Sequence, residues 1–181
     1  MIYFVTGNKN KYEEIKRYLS EKIEMKSIPY PEIQADKIED VALHGIEFLK
    51  EKLNENFFVE DSGLFIKALK GFPGVFSSYV FKTIGNEGIK KLMKGIKDRE
   101  AEFISVIAFY DGKINIFKGV CRGKISEEIK GRGGFGYDPI FIPYGSRKTF
   151  AEMSIEEKNE YSHRGKAVRK LKEYLDEKFR D

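Results

Sequence analysis

Short apolar runs alternate with amphipathic segments at the start of the chain. Residues 2–6 (Ile-Tyr-Phe-Val-Thr) form an apolar run, and apolar residues then recur at helical spacing over 12–19. A second strand is predicted over 25–30, where prolines end it. A strand, a turn and an amphipathic helix in this order are typical of an α/β fold.

A longer amphipathic helix and a buried strand follow. Asp36 and Glu39 have the spacing of a capping box, and apolar residues after them line one helix face. Residues 57–59 (Phe-Phe-Val) predict a strand that leads directly into the sequence EDSG at 60–63. The pattern over 64–69 is compatible with continuation of that strand.

The second half of the chain has the pattern of a short helix, a hairpin around an Asp-Gly turn, a helix opened by a capping box, and a final amphipathic helix. The short helix is predicted at 87–93 and the two hairpin strands at 102–110 and 113–118. Ser154 and Glu157 form the capping box, and the final helix runs from Arg164 onward. No repeat, low-complexity tract or linker interrupts them. We therefore predict one α/β domain over 1–181.

Composition narrows the class of protein. The 181 residues are 41% hydrophobic and 14% aromatic, which is enough to build a core. The single cysteine, Cys121, cannot form an internal disulfide, and we expect it to be buried in a protein of a reducing compartment. No apolar run is long enough for a membrane span. These features predict a soluble cytoplasmic protein with no membrane partner.

The charge balance argues against a nucleic-acid-binding surface. The formal net charge is +4, but the 33 basic residues are interleaved with 29 acidic ones. Such a mixture is typical of a solvated surface. Nucleic-acid binding is therefore a minor alternative, which steeply salt-dependent DNA binding would reveal.

Small polar and basic residues connect the first strand to the first helix. A strand that ends in such a turn presents unpaired backbone N–H groups, which favour anions together with the helix dipole. Side-chain hydrogen bonds and a lysine charge would strengthen the site, and an ordinary helix cap is the alternative. The candidate residues are Thr6, Gly7, Asn8, Lys9, Asn10 and Lys11.

Carboxylates stand where two predicted strands end. Glu60 and Asp61 follow the strand at 57–59, and Glu32 follows the second strand. Magnesium takes oxygen ligands, usually one or two protein carboxylates together with substrate phosphates. The set therefore suits a metal–nucleotide site, and exposed turn acids are the alternative, more so for Glu60 than for Asp61.

A glycine-rich loop and a polar cluster complete the candidates. Aromatic faces between glycines can stack on a base that the backbone approaches closely, whereas a tight turn with core aromatics is the alternative. The polar cluster lies near the start of the final helix, although a lone histidine is usually structural. The residues are Phe135, Gly136, Tyr137 and Asp138 in the loop, and Lys158, Ser162, His163 and Arg164 in the cluster.

Two other glycine patterns stand in the wrong context for phosphate binding. The sequence GVCRGK at 119–124 is one residue short of a P-loop, and Ile125 stands where Ser or Thr would bind magnesium. The sequence GRGGFG at 131–136 matches G-x-G-x-x-G, but Pro139 follows where a dinucleotide fold needs a helix. Neither pattern supports a site.

Six segments, in this order, resemble the inosine triphosphate pyrophosphatase (Ham1-like) family. They span nearly the whole chain, so the resemblance is highly specific. The segments are TGNKNK at 6–11, PEIQ at 31–34, VEDSGL at 59–64, GFPGVFSS at 71–78, GFGYDPIF at 134–141 and KTFAEMSIEEKNEYSHRGKA at 148–167.

The resemblance implies an elongated α/β fold with a mixed twisted sheet, a cleft between two lobes, and usually a homodimer. It implies hydrolysis of ITP, dITP and XTP to the monophosphate and pyrophosphate, with Mg²⁺ as cofactor. By position, Glu32 and Asp61 match the magnesium-linked acids, and Asp61 also matches the proton acceptor for the attacking water. The substrate contacts match Thr6 to Lys11, Ser62, Phe135 to Asp138, Lys158, His163 and Arg164.

One departure from the family pattern is visible beside Glu32. Ala35 stands where many relatives have glycine, which affects only the backbone detail next to the acid. Asp36 is better explained as a helix cap than as a metal ligand.

Base discrimination would rest on the residues of the final cluster. Hypoxanthine and xanthine carry O6 and N1–H, so a donor from Arg164 or His163 would be left unpaired against adenine. Sites of this kind reject the analogue that lacks the group by roughly 10⁴-fold or more. The sequence does not reveal how guanine is excluded.

Two alternatives share the nucleotide-binding cradle. A Maf-like pyrophosphatase would open with a pattern resembling Ser-x-Ser-x-x-Arg, where this chain has Thr6-Gly7-Asn8. A non-catalytic nucleotide-binding protein would not require both Glu32 and Asp61, because binding alone needs no base.

Overall fold

The computed structural model describes residues 1–19 and 23–179, and the strands and helices of that part follow the α/β order predicted. The strands are β1 (Ile2–Val5), β2 (Ile23–Lys26), β3 (Phe57–Ile66), β4 (Glu100–Tyr110), β5 (Ile114–Ile125) and β6 (Phe141–Pro143). The helices are α1 (Lys9–Leu19), α2 (Ile38–Lys50), α3 (Ser77–Thr83), α4 (Gly85–Leu92), α5 (Ile155–Tyr161) and α6 (His163–Lys178). Short 3₁₀ turns lie at Lys67–Leu69, Gly74–Phe76, Asp138–Ile140 and Phe150–Glu152.

The strands form one six-stranded mixed sheet in the order β2-β1-β3-β4-β5-β6. β1 runs parallel to β2 and β3, whereas the pairs β3–β4, β4–β5 and β5–β6 are antiparallel. The mixed α/β sheet flanked by helices that the resemblance implied is therefore confirmed.

Helices cover both faces of the sheet around the parallel strands. On one face, α1 and α6 pack on Phe4 and Phe58, whose rings stack at 4.6 Å between centroids. On the other face, α2 packs on Phe57 and Val59. A third apolar cluster surrounds the far ends of β3, β4 and β5, where Leu64 is fully buried. The long antiparallel strands thus connect two separate regions of the core.

The hairpin between β4 and β5 is confirmed. Gly112 has a φ of +99°, which an L side chain rarely adopts, so the Asp111-Gly112 turn uses glycine's conformational freedom. β5 is longer than predicted, because its residues pair with β4 as far as Lys124. The glycine pattern at 119–124 therefore lies inside a strand.

Both glycines of that pattern serve packing. A Cβ on Gly119 would lie 2.0 Å from the carbonyl oxygen of His163, and one on Gly123 would lie 2.2 Å from that of Ile142. Glycine lets β5 approach the start of α6 and the adjacent strand β6. Cys121, between the two glycines, is buried and free, as expected.

Several predicted element boundaries are wrong. β2 ends at Lys26 rather than near residue 30, and α3 was not predicted. α2 begins at Ile38, and the preceding Lys37 makes no side-chain capping bond, so Asp36 is not the cap. The Glu39 carboxylate instead accepts a hydrogen bond from Lys118 Nζ at 2.6 Å, which removes it from the predicted capping box.

The two later helix starts follow the prediction more closely. The Ser154 hydroxyl accepts a hydrogen bond from the Glu157 N–H at 3.1 Å and caps α5. Ser162 caps α6 in the same way, through the Gly165 N–H at 2.9 Å. Among the described residues, no helix combines the length and apolar character that crossing a membrane requires.

Candidate active site

The candidate residues meet where two parallel strands end beside the middle of β3. Phe4 pairs with Phe58, and β1 ends one residue later at Val5. Val5 in turn pairs with Lys26, the last residue of β2. The segments that follow β1 and β2 therefore leave the sheet beside residues 60–62 of β3.

The prediction that Glu60 and Asp61 stand at a strand end is wrong in detail. β3 continues to Ile66 because β4 pairs with it along its whole length. The two acids lie in the middle of a strand, and it is the neighbouring strands that end there. The sheet edge predicted for the site is nevertheless where they lie.

The turn between β1 and α1 is closed by its own side chains. The Thr6 hydroxyl accepts a hydrogen bond from the Asn8 N–H at 3.0 Å, and Asn8 Oδ1 accepts one from the Lys11 N–H at 3.1 Å. Gly7, Lys9 and Asn10 are exposed. The first N–H groups of a helix have no partner within it, so this exposed turn can receive an anion.

Strand alternation separates the two acids of β3. Successive side chains of a strand point to opposite faces, so Glu60 shares the α1–α6 face with Phe58, and Asp61 shares the α2 face with Val59. The two neighbouring carboxylates therefore have different partners.

Glu60 is buried among cations. Its carboxylate lies 2.9 Å from Lys11 Nζ and 3.2 Å from Arg164 Nε, and it accepts a hydrogen bond from the Ser105 hydroxyl at 2.6 Å. Burial opposes ionisation, but Arg164, Lys11 and the Ser105 hydroxyl outweigh it and lower the pKa of Glu60 to about 2. Glu60 is therefore a paired anion.

Glu14 of α1 extends the network, although the sequence did not suggest it. It accepts hydrogen bonds from Lys158 at 2.5 Å and from Arg164 at 2.6 Å. Burial disfavours its charge, but both cations together lower its pKa. The one sequence clue is its spacing of three residues from Lys11, which places both on one face of α1.

The glycine-rich loop is attached to the same network. Asp138 Oδ2 accepts hydrogen bonds from Lys158 Nζ at 2.7 Å and from the Phe135 N–H at 3.0 Å. The Phe135 ring faces the ammonium of Lys158 at 4.7 Å and the guanidinium of Arg164 at 5.5 Å. Phe135 is partly exposed, so one aromatic ring of the loop borders the cations and remains accessible.

The structure corrects the expectation for the other aromatic ring of the loop. The Tyr137 hydroxyl donates a hydrogen bond to the Ser77 carbonyl at 2.7 Å, and the ring packs against Phe81 at 5.4 Å between centroids. Tyr137 is buried in the core, so its face cannot stack on a base. Gly136 has a φ of +58° and its carbonyl accepts a hydrogen bond from Asn86, which fixes the turn between the two aromatics.

The start of α6 brings Arg164 and His163 to this region. Arg164 Nη2 donates to the Ser62 hydroxyl at 2.9 Å, which links α6 to β3. The His163 ring stacks on Phe103 at 4.5 Å between centroids, and its Nδ1 is buried with no partner among the described residues. Burial, with Arg164 and Lys158 nearby, holds its pKa well below the usual range, so the imidazole is neutral.

Asp61 lacks the partners that Glu60 has. Among the described residues, its Oδ2 is buried without a hydrogen-bond partner. Burial raises the pKa of Asp61 to about 6, with Glu60 and Glu32 adding to the increase and Lys11 opposing it. Burial also raises the pKa of Tyr30, and the negative charges of Asp61 and Glu32 raise it further. Tyr30, Asp61 and Glu32 are therefore close enough to interact electrostatically.

The arrangement around Asp61 suits a hard cation. An unpartnered, buried carboxylate oxygen with a second carboxylate near it is an oxygen donor set of the kind that such ions take. Within residues 1–19 and 23–179, no three His, Cys, Asp or Glu side chains are placed to hold a metal by themselves. A cation here would need further oxygen ligands from water or substrate.

A carboxylate of raised pKa with a buried, unpartnered oxygen, an exposed helix-opening turn and several cations are typical of an α/β enzyme that takes a phosphorylated ligand. Three comparisons with known proteins agree on the family of the chain. The model of the Ham1 family matches residues 2–174, and the chain belongs to this family. The resemblance predicted from the six segments is thereby confirmed.

Curated relatives and solved structures cover almost the whole chain. The dITP/XTP pyrophosphatase of Pyrococcus horikoshii is 59% identical over 96% of both chains, and that of Thermococcus kodakarensis is 52% identical over 98% of both. The solved structure of a HAM1 protein from Coxiella burnetii is 31% identical, with a TM-score of 0.86 over 97% of this chain and 98% of that one.

Ionisation of Asp61 is expected to lower the free energy of unfolding of the protein. Its pKa is about 6 in the fold against an ordinary value of 3.8, so its ionisation destabilises the metal-free protein as pH rises through this window. We predict that Asp61→Asn raises the free energy of unfolding by roughly 1–3 kcal/mol at about pH 7.5, and leaves it unchanged at about pH 3, below both pKa values.

Denaturant unfolding in EDTA measures this difference. Asp98→Asn, at an exposed acid, is the matched control and should change stability little at either pH. A destabilised Asp61→Asn at about pH 7.5 would contradict the prediction.

Proposed function

We propose that this protein hydrolyses noncanonical purine nucleoside triphosphates (ITP, dITP and XTP) to the nucleoside monophosphate and pyrophosphate, and so removes them from the nucleotide pool. Its relatives over nearly their full length are dITP/XTP pyrophosphatases. The observation that carries the proposal is Asp61, an unpartnered carboxylate beside a cluster of paired cations.

Asp61 is the proton acceptor for the attacking water. A base works best when its pKa lies near the working pH, and burial brings the pKa of Asp61 to about 6. Glu60 has the opposite character, because its pKa of about 2 and its three partners leave it a poor base. The proton of the attacking water passes to an Asp61 carboxylate oxygen as the new bond to phosphorus forms.

The triphosphate lies along the turn at 6–11. The exposed N–H groups at the start of α1 bind phosphate oxygens, and Lys11 stabilises the negative charge of the departing pyrophosphate. Lys158 lies within the same network and adds a second positive charge. Electrostatic stabilisation of this kind is usually the largest contribution that a phosphoryl-transfer enzyme makes.

Glu32 and Asp61 would hold Mg²⁺ together with phosphate oxygens of the substrate. Bound there, the ion would neutralise charge that develops on the phosphates. Asp61 supplies the unpartnered oxygen for it, and exposed Glu32 the second carboxylate.

The base lies against Phe135 and the start of α6. The partly exposed ring of Phe135 offers a stacking face, and the backbone at Gly136 and Tyr137 lines the same loop. Arg164 has five N–H donors, of which two are hydrogen-bonded to Glu14 and Ser62, and we assign its remaining donors to purine O6. His163 offers its unpartnered Nδ1, while Asp138 holds the loop in place.

The remaining features concern assembly and compartment. We propose a homodimer in the cytoplasm, acting on a small nucleotide without nucleic-acid or membrane partners. The interleaved charges of the chain and its single buried cysteine support this setting.

A substrate panel tests the specificity. With magnesium, pyrophosphate release from ITP and XTP should exceed release from ATP by roughly 10⁴-fold or more, because adenine lacks the O6 that the site hydrogen-bonds. GTP should also be slower than either. Equal rates on all four nucleotides would overturn the proposed selectivity and leave the hydrolase intact.

Substitution of the base tests the mechanism. Asp61→Asn keeps the shape but cannot accept the proton, so kcat for XTP should fall by roughly 10²–10⁴-fold. Asp98→Asn, at an exposed acid, is the control and should retain wild-type turnover. Near-wild-type turnover of Asp61→Asn would remove Asp61 from the chemistry.

Light scattering after gel filtration tests the assembly. A homodimer should have twice the chain mass of 21.0 kDa. A species of one chain mass at working concentrations would contradict the proposed dimer.

A further inference from the structure

Glu60 is the buried carboxylate that the proposed reaction leaves without a role. Its side chain has 0% exposure, and it lies on the face of β3 opposite to Asp61. An isolated buried charge is expensive, so a fold retains one only where partners compensate it. The identity of those partners indicates what Glu60 does.

The partners of Glu60 come from both ends of the proposed nucleotide-binding region. Lys11, from the phosphate-binding turn, lies 2.9 Å from Oε2, and Arg164, from the base-binding side, lies 3.2 Å from Oε1. The Ser105 hydroxyl of β4 donates to Oε1 at 2.6 Å and orients the carboxylate. One carboxylate therefore joins the two cations that the proposed function assigns to opposite ends of the nucleotide.

Glu60 restrains Lys11 at two points. Its side chain holds the ammonium at 2.9 Å, and its backbone carbonyl accepts a hydrogen bond from the same Nζ at 3.2 Å. A lysine has four flexible methylenes, and Asp61 is a neighbouring carboxylate with a free oxygen. Without Glu60, the ammonium of Lys11 would be drawn to Asp61, and each would block the other.

Glu60 also helps to fix the orientation of the Arg164 guanidinium. Glu14 and Ser62 hold the two terminal nitrogens of the guanidinium, and Glu60 faces Nε. A planar guanidinium that is hydrogen-bonded at both terminal nitrogens and has an anion 3.2 Å from Nε has a fixed orientation, although Nε itself makes no hydrogen bond. Its remaining donors are therefore aimed before a nucleotide arrives.

We propose that Glu60 is a positioning residue, which keeps Lys11 away from Asp61 and fixes the distance between Lys11 and Arg164. The inference rests on the proposed function, because it concerns the same cleft. Glu60 touches neither water nor nucleotide in this role and acts through the two cations.

A double-mutant cycle on kcat/KM for XTP tests the proposal. Glu60→Gln removes the charge and keeps the shape, and it should lower kcat/KM by roughly 10²-fold, as expected for misplacement of a reacting group by about 1 Å. In a Lys11→Met background, Glu60→Gln should lower kcat/KM by a factor at least about fivefold smaller than in the wild-type background. The reason is that the effects of two substitutions do not add when one residue acts through the other.

A merely structural role of Glu60 would lower kcat/KM by the same factor in both backgrounds. The proposal is therefore overturned if the two factors are equal or differ by less than about fivefold. Inhibition by added pyrophosphate gives a second readout, and its Ki should rise both in Glu60→Gln and in Lys11→Met. An unchanged Ki in Glu60→Gln would also overturn the proposal.

Two further variants keep the test decisive. If Glu60→Gln does not fold, Glu60→Asp enters the same cycle, since it keeps the charge but is one methylene too short to reach both cations. Glu100→Gln on β4 is the matched control, because Glu100 also pairs with a lysine, Lys67 at 2.8 Å, but at the surface. It should retain wild-type kcat/KM.

The wild-type protein separates the two levels of the hypothesis. If it releases no pyrophosphate from XTP, the proposed function fails whatever the variants do. If it is active and Glu60→Gln remains within about twofold of it, only the positioning role fails.

Discussion

Three buried carboxylates and three cations, two of them buried and Lys11 half-buried, hold the site together in one network. Glu60, Glu14 and Asp138 pair with Lys11, Arg164 and Lys158. Each buried charge would cost several kcal/mol if its partner moved away, so the network strongly favours a single arrangement. Because its members come from α1, β3, the glycine-rich loop, α5 and α6, the same pairing that stabilises the cations also fixes these elements relative to one another.

Much of the fold and the position of the site could be predicted from the sequence, because local patterns determine them. The apolar run at 2–6, the helix after it and the Asp111-Gly112 hairpin each depend on neighbouring residues. The boundaries that were wrong depend on distant ones: Lys118 of β5 takes the Glu39 carboxylate, and β4 keeps β3 extended beyond Asp61. Tyr137 lay beyond prediction for the same reason, since its hydroxyl bonds to Ser77.

The different surroundings of Glu60 and Asp61 show most clearly what local sequence patterns do not predict. In the sequence they are adjacent acids, and the resemblance assigns a role to Asp61 but none to Glu60. In the fold, alternation sends Glu60 towards Arg164 and Ser105, which are far away along the chain, and leaves Asp61 unpartnered on the other face. Their opposite pKa shifts follow from tertiary contacts alone.

Gly119 sets how closely β5 approaches the start of α6. Any side chain there would meet the carbonyl of His163 and the N–H of Ala167, and so lift the first turn of α6. This turn carries Arg164, whose guanidinium is paired with Glu14 of α1 and Glu60 of β3, so the displacement would strain the whole charge network. A substitution of Gly119 would therefore disturb the charged groups without replacing any of them.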